Sequence, residues 1–512
     1  MATPNEKLAA SLAQLQALQK DGRRVFRSGE LGRVHRGRLL RQGFVCEVMK
    51  GWLIAASPGA EPGDSTPWFA SFWEFCARYA RARFGERWHL SPEQSLLLHA
   101  ENTVIPRQAV IYTPRGTNNA VELLFGTSLY DLRQKQMASA ADLTERQGLR
   151  LFAPAAALVR VPEAFFQRYP VEAQVALAGI RDASDVLGRL LDGGHSAVAG
   201  RLAGAFRRLD RGELADEIVS AMKAAGYDVR ESNPFEPRQR FGAANAATAP
   251  IVGRLQALWA TLRSPVLDLF PAAPGLPEDR QAYLRFIDEI YRSDAYHSLS
   301  IEGYRVTPEL VERVRAGDWN PVDHHADRDS RDALAARGYW QAFQRVKESV
   351  AEIIAGSSPG ALVRAVHRDW YRELFQPCVA AGVLPASALA GYRNDAVFLR
   401  GSRHVPPRRE AVRDAMPALF DLLEEEAEPS VRAVLGHWLF GYVHPYPDGN
   451  GRMARFVMNA MLASGGYPWT VIRVEDRAPY LAALESASVG MDIRPFAGFV
   501  AQRVAWSLER AA

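Results

Sequence analysis

The chain has 512 residues, 48% of them hydrophobic and 23% charged, which is typical of a globular protein with several domains. It contains no run of about eighteen uncharged apolar residues and no N-terminal secretory pattern, so a membrane span and export are not expected and we predict a cytoplasmic protein. Three distant cysteines offer neither a disulfide framework nor a zinc motif, and the net charge of +4 excludes little.

The first 60 residues are predicted to form a winged-helix-like domain. Apolar residues at helical spacing predict a helix from Pro4 to Gln19, and Ser28 is the expected N-cap of a second helix. The segment GFVCEVMKGWLIA is rich in β-branched and aromatic residues, which predicts two short strands around Lys50 and Gly51. Two helices followed by a β-wing are typical of a winged helix.

Positive charge is concentrated in this region between Lys20 and Arg41. Eight basic residues stand there against only two acidic ones, Asp21 and Glu30, which leaves an excess of six positive charges. Contact with the phosphates of DNA requires such an excess. A solvated basic helix on an ordinary small domain gives the same pattern, so both interpretations stay open. The eight residues are Lys20, Arg23, Arg24, Arg27, Arg33, Arg36, Arg38 and Arg41.

Residues 61–232 are predicted to form an α+β regulatory domain. Ser91, followed by Pro92, is the expected N-cap of a helix, and VIYTPRGTNNAVELLFGTSLYDLR alternates like paired strands that turn near Gly116. Roughly the first 230 residues resemble the winged-helix front end of abortive-infection-type antitoxin regulators. That resemblance implies binding to DNA or to a partner protein. Residues 233–276 are predicted to be a linker and a helix, because the segment up to Pro250 is rich in Pro, Gly, Ala and Asn.

From Ile251 onward the pattern is almost wholly helical, so the fold is predicted to be mainly α. The segment AGYRNDAVFLRGSRHVPP is the exception, and we expect it to form a small β-hairpin flap. The C-terminal helical domain is predicted to span residues 277–512. The expected helices cover roughly 251–263, 277–298, 308–316, 329–355, 358–380, 408–424, 428–443, 451–465 and 476–488, with a last one to 510.

The sequence HPYPDGNGRMAR, residues 444–455, joins two of these helices and carries the chemistry. Two prolines stop the first helix, and the glycines at 449 and 451 can adopt positive φ, so that backbone N–H groups can point at one anion beside a helix N-terminus. Arg452 and Arg455 share a helix face and suit phosphate oxygens. Asp448 is a hard oxygen ligand for Mg²⁺, and His444 can serve as a general base. These groups together are suited to phosphoryl transfer.

The same twelve residues match HxFx(D/E)GNGRxxR, the signature of the Fic family, with Tyr446 in place of the usual Phe. The resemblance covers about residues 280 to 505. It implies a helical domain that moves AMP from ATP to a Ser, Thr or Tyr hydroxyl, with His444 as the base and Asp448 holding Mg²⁺. It also implies that the flap, Tyr392 to His404, pairs with the target's backbone. The expected phosphate-binding residues are Gly449, Asn450, Gly451, Arg452 and Arg455.

A second motif lies upstream, where SLSIEG fits (S/T)xxxE(G/N), the family's inhibitory helix motif. The resemblance gives Ser298, Glu302 and Gly303 an inhibitory role, on a helix near residues 290–303. An ordinary helix C-terminus closed by Gly303 would give the same letters. Two other functions stay open: a DNA-binding regulator whose Fic-like domain senses a nucleotide, and an antitoxin-like module that binds a partner protein.

Three further features of the sequence receive weaker interpretations. Asp323 to Asp329, DHHADRD, offers metal-binding side chains, although a solvated loop is the simpler interpretation. His437 is expected to be a core histidine. Trp469 and Tyr480 follow the signature and are candidates for the wall of a nucleotide-base pocket.

Overall fold

The computed structural model describes residues 3–58, 63–235, 249–317 and 331–511. The chain divides into two compact units. One holds the described residues up to and including Pro250 together with Phe398–Val405, and the other holds the described residues of Ile251–Val397 and Pro406–Ala512. The DHHADRD segment and most of the predicted linker lie outside the described residues. None of the described helices is long and apolar enough to cross a membrane.

The first unit begins with helix α1 (Pro4–Leu18), strand β1 (Val25–Arg27), helix α2 (Arg33–Arg41) and strands β2 (Val45–Met49) and β3 (Trp52–Ala55). The strands form an antiparallel sheet in the order β1-β3-β2. The predicted N-cap at Ser28 is wrong, because residues Ser28–Glu30 form a separate 3₁₀ turn and α2 starts after Gly32. An extended residue, Leu31, separates the two and buries its side chain, which ends the first turn.

Both faces of this sheet are covered by apolar side chains. Leu15 and Leu39 from the two helices pack with Phe26 in one cluster. Val25 and Ile54, which point the other way, belong to a larger cluster that extends through α3 (Thr66–Phe84) as far as Leu151. Alternate residues of a strand face opposite sides of its sheet, so a single sheet can serve two clusters. The larger cluster therefore contains side chains from both predicted domains, 1–60 and 61–232.

A second sheet contains β4 (His89–Leu90), β5 (Gln108–Thr113), β6 (Ala120–Glu122) and β7 (Ser128–Arg133) in the order β4-β5-β7-β6. The predicted hairpin turning near Gly116 is wrong, because β5 pairs in parallel with β7 and only β6 runs antiparallel to it. Gly116 is pressed against the backbone of Arg133, where a Cβ would come within 2.6 Å of its nitrogen. Strands β8 (Leu143–Arg146) and β9 (Leu149–Phe152) form a separate hairpin.

Helices complete the first unit, and the predicted cap at Ser91 is confirmed by its side chain accepting a hydrogen bond from the Gln94 nitrogen. These helices are α4 (Pro92–His99), α5 (Pro154–Arg160), α6 (Ala164–Arg168), α7 (Pro170–Ala178), α8 (Ser184–Asp192), α9 (Ser196–Arg208) and α10 (Gly212–Ala224).

The described part of the second unit is helical, and the predicted mainly-α fold is confirmed. Most predicted helical runs agree with the observed helices to within about three residues, because apolar stripes and capping prolines mark them. The helices are α11 (Pro250–Leu267), α12 (Arg280–Ile301), α13 (Pro308–Ala316), α14 (Arg331–Ile354), α15 (Pro359–Ala380), α16 (Arg409–Glu425), α17 (Pro429–Val443), α18 (Asn450–Ala463), α19 (Arg477–Gly490) and α20 (Arg494–Ala511).

The predicted β-hairpin flap is wrong as secondary structure, since residues 391–405 contain no strand. Gly391 and Gly401 have φ of +119° and +74°, which interrupts an extended backbone. The Arg393 nitrogen donates to the Pro445 carbonyl instead of to a neighbouring strand. Within the first unit, His404 forms one isolated bridge with Val104.

Candidate active site

The signature loop connects α17 to α18 in a sharp turn. His444 caps α17 in a left-handed conformation, with φ 51° and ψ 60°, and its nitrogen still donates to the Phe440 carbonyl at 2.9 Å. Pro445 cannot donate a hydrogen bond, so the helix cannot continue. Gly449 is the N-cap of α18, and its φ of 78° is the positive value that the sequence predicted for this glycine. The helix α18 therefore points its first free N–H groups into the loop.

Asn450 and Tyr446 fix the shape of this loop from inside. The Asn450 side chain accepts from the Tyr446 nitrogen at 2.9 Å and donates to the Tyr446 carbonyl at 2.8 Å. The Tyr446 ring is fully buried and stacks on Tyr371 with a centroid distance of 3.8 Å. Among the described residues its hydroxyl has no hydrogen-bond partner. The Asn450 side chain thus braces the loop, which leaves its backbone N–H as the group available to an anion.

His444 has the electrostatic state of a base. Its Nδ1 lies 3.3 Å from the Gly441 carbonyl. Burial lowers the pKa of His444 to about 4, against a smaller opposing effect of that carbonyl. The imidazole is therefore neutral at physiological pH. With the proton assigned to Nδ1 by its contact with the carbonyl, Nε2 carries a lone pair that can accept a proton.

Arg452 lies in an aromatic sandwich. Its guanidinium carbon is 5.3 Å from the centre of the Tyr304 ring and 5.0 Å from that of Phe375. The side chain is 1% exposed, and within the described residues Nε and Nη2 have no hydrogen-bond partner. Asp448 Oδ2 lies 3.5 Å from Nη2, a loose ion pair with a carboxylate that is itself 63% exposed. A buried guanidinium with open donors suits an anionic ligand.

Arg455, in contrast, donates hydrogen bonds to the C-terminal end of α12. Its Nε donates to Ser298 Oγ at 2.7 Å, and its Nη2 donates to the Ser298 carbonyl at 3.1 Å and to Glu302 Oε1 at 2.7 Å. Burial would raise the pKa of Glu302, but Arg455 and then Arg452 outweigh it and hold that pKa below its usual range. Glu302 is therefore a carboxylate bound to Arg455.

Gly451 provides the space that Glu302 occupies. A Cβ at this position would lie 2.2 Å from Glu302 Oε1, closer than any real contact. The predicted positive φ at Gly451 is wrong, because this residue is in the first turn of α18. Of the two glycines, Gly449 has the left-handed conformation and Gly451 does not. The glycine is needed for close approach, and the carboxylate lies over the N-terminal turn of α18, where an anion is favoured.

Ser298 and Glu302 are brought to this place by the end of α12. Glu302 is the C-cap, and Gly303 closes the helix with φ 86°. The Tyr304 nitrogen returns to the Leu299 carbonyl at 3.1 Å, which places the Tyr304 ring under Arg452. Gly303 thus ends the helix as expected, and the same helix end brings Glu302 into contact with Arg455.

Comparison with known proteins places this site in a family. Residues 360–462, which include the whole signature, match the sequence model of the Fic/DOC family. The chain therefore contains a segment that is similar to proteins of the Fic/DOC family. A relative named protein adenylyltransferase Fic, from Nematostella vectensis, is 33% identical over 236 residues, 44% of this chain and 50% of the relative. Protein adenylyltransferase fic-1 of Caenorhabditis elegans is 37% identical over 112 residues, 21% of this chain and 22% of the relative.

Solved structures include similar chains. Residues 134–508 of C. elegans Fic-1 are 18% identical, with 67% of this chain and 98% of that chain covered and a TM-score of 0.38. A Fic domain containing signaling protein from Bacteroides thetaiotaomicron is 21% identical, with coverage of 50% and 96% and a TM-score of 0.35. The chain spans about half the length, or less, of the curated relatives it matches.

The loop between α17 and α18 contains Asp448, whose largely exposed carboxylate is suited to a divalent cation. No group of three His, Cys, Asp or Glu side chains among the described residues could hold a metal by itself. Asp448 Oδ1 accepts from the Gly449 nitrogen at 2.6 Å, and the largely exposed carboxylate retains further lone pairs. Mg²⁺ commonly binds through one or two carboxylates together with substrate phosphates, so the residues present fit it.

Several residues of the Fic domain were not found from the sequence. Tyr304, Phe375 and Arg393 contact the signature but carry no local motif, because tertiary packing brings them there. His437 is a buried core histidine as predicted, with Nε2 2.8 Å from the Tyr480 hydroxyl. Trp469 is buried and packs against Phe343. Its place in the wall of a nucleotide-base pocket stays a prediction.

Proposed function

We propose that this chain transfers AMP from ATP to a Ser, Thr or Tyr hydroxyl of a protein, including its own. The observation that carries the proposal is the loop itself. It combines a neutral histidine, a buried guanidinium with open donors and a helix N-terminus, all within residues 444–455. The relatives' name, protein adenylyltransferase, supports the same chemistry.

In this mechanism His444 Nε2 takes the proton of the target hydroxyl as its oxygen attacks the α-phosphorus. The bond from the α-phosphorus to the bridging oxygen breaks, and pyrophosphate leaves. Arg452 and Arg455 hold the β- and γ-phosphates, and the N–H groups at the start of α18 hold the α-phosphate. Asp448 would hold Mg²⁺, which supplies charge neutralisation between phosphates.

The test is incubation of the full chain with ATP labelled on the adenine ring and Mg²⁺, followed by mass spectrometry of the protein and of a lysate. A mass increase of one AMP on a hydroxyl residue, abolished by chelation of Mg²⁺, is expected. ATP labelled only on the γ-phosphate is the matched control, since its label leaves with pyrophosphate. Label from the γ-phosphate on protein would identify phosphorylation and overturn the proposal.

We also propose that Glu302 inhibits this activity in the same chain. Its carboxylate accepts a hydrogen bond from Arg455 and lies over the first turn of α18. It therefore competes with phosphate both for that donor and for the positive potential of the helix N-terminus. ATP could still enter with its α-phosphorus misaligned, and in-line displacement is sensitive to small misplacement.

A second candidate function, DNA binding, is favoured by the exposed face of α2. Arg36 and Arg38 turn back to the protein, where their Nη1 atoms donate to the Ser28 and Lys7 carbonyls. Arg33, Val34 and Arg41 are exposed along the helix, and Gly37 between them has open space beside it. Such a face suits the major groove, with basic residues for phosphates and an apolar one for thymine methyls.

Fluorescence anisotropy of the full chain with random duplex DNA at two salt concentrations tests this candidate. We expect binding at low salt that weakens steeply as salt rises. The double substitution Arg33→Gln and Arg41→Gln should reduce it, whereas Arg168→Gln with Arg181→Gln, also exposed in the first unit, should not. Equal loss in both double variants would reduce the effect to net charge.

A further inference from the structure

Arg393, outside the signature, is a buried arginine that contacts the catalytic loop. Its side chain is 2% exposed. Nε donates to the His444 carbonyl at 2.8 Å, and Nη2 donates to the Pro407 carbonyl and, at 3.4 Å, to that of Val443. Nη1 donates to the Asp395 carbonyl at 3.0 Å, and the backbone nitrogen of Arg393 donates to the Pro445 carbonyl at 2.9 Å. Three consecutive carbonyls of the loop thus accept from one residue.

These carbonyls stand at the C-terminal end of α17, where a helix leaves its last acceptors without partners and carries partial negative charge. Burial and then the nearby Arg413 lower the pKa of Arg393 to about 10, which still leaves it protonated at neutral pH. The bonds that its side chain makes in the loop all go to backbone carbonyls rather than to carboxylates. Its role there is to complete the helix end and hold the chain that leaves it.

The residue held in this way is strained. His444 has φ 51°, a left-handed conformation that a side chain with a Cβ adopts at a cost. Such a conformation persists only where neighbouring structure determines it. Arg393 bonds the carbonyl of His444 and, through its own nitrogen, that of the next residue, so the peptide between them is fixed on both sides.

We propose that Arg393 is a positioning residue for His444. By holding the carbonyls of residues 443–445 it sets the left-handed turn, and that turn aims the imidazole at the site of the target hydroxyl. This inference rests on the proposed function, in which His444 is the base. Arg393 lies in the segment predicted to pair with the target's backbone, but in this scheme its side chain acts on His444 only through the loop.

Two substitutions separate the effect of the Arg393 hydrogen-bond donors from the effect of its positive charge. Lysine would keep the charge but present its donors from a single nitrogen, which cannot replace a planar fork. Glutamine is neutral, yet its Nε2 stands at the same chain position as the Nε of arginine and can keep the bond to His444. If positioning matters, Arg393→Gln should retain more activity than Arg393→Lys.

The experiment compares these variants in full-length Glu302→Gly protein, with AMP transfer measured at several ATP concentrations. For Arg393→Lys we expect a rate at saturating ATP that is lower by about tenfold or more, because small misplacement of a reacting group is costly. The ATP concentration for half-maximal rate should change less than about twofold, since the phosphate-binding residues are untouched. A larger change in that concentration than in the rate would overturn the proposal.

Arg432→Lys is the matched control. Arg432 is also buried at 8% exposure and also donates to backbone carbonyls, those of Glu426 and Ala427, but at the opposite end of α17. A general loss of stability would affect both lysine variants alike. If Arg432→Lys lowers the rate at saturating ATP as much as Arg393→Lys does, Arg393 has only a structural role.

Hydrogen exchange separates failure of this inference from failure of the proposed function. In nucleotide-free protein, Arg393→Lys should speed amide exchange about tenfold or more in the peptide covering residues 441–450, with no comparable change after Arg432→Lys. If the parent transfers no AMP, the proposed function fails, while exchange still reports whether Arg393 holds the loop. Should the lysine variant not fold, Arg393→Gln is compared with Arg432→Gln. Because Arg393→Gln keeps the bond to His444 but loses those of Nη1 and Nη2, it should speed exchange in this peptide less than the lysine variant would, but more than Arg432→Gln does. Unchanged exchange in this peptide would contradict the inference.

Discussion

At the scale of single residues, His444 is the group on which the proposed chemistry depends. We expect His444→Ala, in the Glu302→Gly background, to lower the rate of AMP transfer by about a hundredfold or more, because the proton acceptor is lost. ATP affinity, measured by calorimetry, should remain within about threefold, because the imidazole makes no phosphate contact in the proposed mechanism. His437→Gln, which can keep a hydrogen bond with the Tyr480 hydroxyl, is the control variant. Full activity in His444→Ala would remove the base from the mechanism.

The pH dependence should also identify His444. Because burial lowers its pKa to about 4, the base is neutral throughout the physiological range. The transfer rate should therefore stay flat between about pH 8 and pH 6, where an ordinary histidine of pKa near 6.5 would become protonated. The free energy of unfolding should also fall when His444 becomes protonated. The neutral His444 contributes to stability above pH 6.5, and this contribution is lost as the pH falls toward 4. A rate that halves near pH 6.5 would show an unperturbed histidine.

The sequence predicted the residues of this site that lie within one motif and missed those that packing supplies. His444, Asp448 and the two arginines share a twelve-residue window whose spacing has a chemical meaning. Phe375, whose ring lies 5.0 Å from the Arg452 guanidinium carbon, is 77 positions away in the sequence and reads as an ordinary core residue. Its role follows from the fold of α15 against α18, which no local pattern contains.

At the scale of elements, the contact between α12 and α18 decides activity in our proposal. Glu302→Gly should raise AMP transfer, most visibly as self-modification, because Arg455 becomes available to phosphate. Glu302→Gly with Arg455→Ala should lose that gain. Assays with labelled ATP on these proteins and on wild type test both expectations. Equal rates in wild type and Glu302→Gly would make the glutamate an ordinary helix cap.

The same contact predicts how stability responds. Arg455 is 4% exposed and Glu302 29%, so the two partners are not equivalent. Glu302→Gly leaves a buried guanidinium with its two bonds to Ser298, and we expect a loss of about 1–3 kcal/mol, typical of a hydrogen bond to a charged group. A simple surface ion pair would give about 0–1 kcal/mol. Urea unfolding of the two proteins separates these cases.

Helices were predicted better than strands for a physical reason. Each helix of the second unit carries its own periodic apolar stripe and capping residues, so its limits are local. The pairing of β5 with β7 in place of β6 depends on contacts that a strand makes with distant chain, including the approach of Gly116 to Arg133. Similarly, the segment with Gly391 and Gly401 has strand-forming side chains, but it does not pair as a hairpin. Its Arg393 nitrogen instead donates to the Pro445 carbonyl.

At the scale of the whole molecule, the first unit shows where a chain can be divided. Sequence patterns separate a winged-helix-like domain at residues 1–60 from the α+β domain at residues 61–232. The larger apolar cluster ignores that limit, since it joins Val25 and Ile54 to Leu129, Leu149 and Leu151. A fragment of residues 1–110, which the basic stretch alone would suggest for DNA-binding work, omits the last three.

We therefore expect residues 1–110 not to fold cooperatively and residues 1–235 to do so. The shorter fragment lacks β7, the parallel partner of β5. It also lacks Leu129, Leu149 and Leu151, so the apolar surface that these side chains cover becomes exposed. Truncation of one such buried leucine to alanine costs about 2–5 kcal/mol. The longer fragment keeps every buried member of the cluster. Near-ultraviolet circular dichroism reports the packing of the buried Trp52, Trp68 and Trp88 during thermal unfolding.

Two substitutions in the longer fragment locate the effect. Leu151→Ala removes a side chain that is fully buried in the shared cluster, so it should lower the unfolding midpoint and loosen the sheet that carries Ile54. Leu190→Ala, fully buried in α8 and outside that cluster, should cost similar stability but leave the tryptophan signal of the native fragment unchanged. A cooperative transition and a native tryptophan signal in residues 1–110 would mean that the basic helix and its sheet form an independent domain after all.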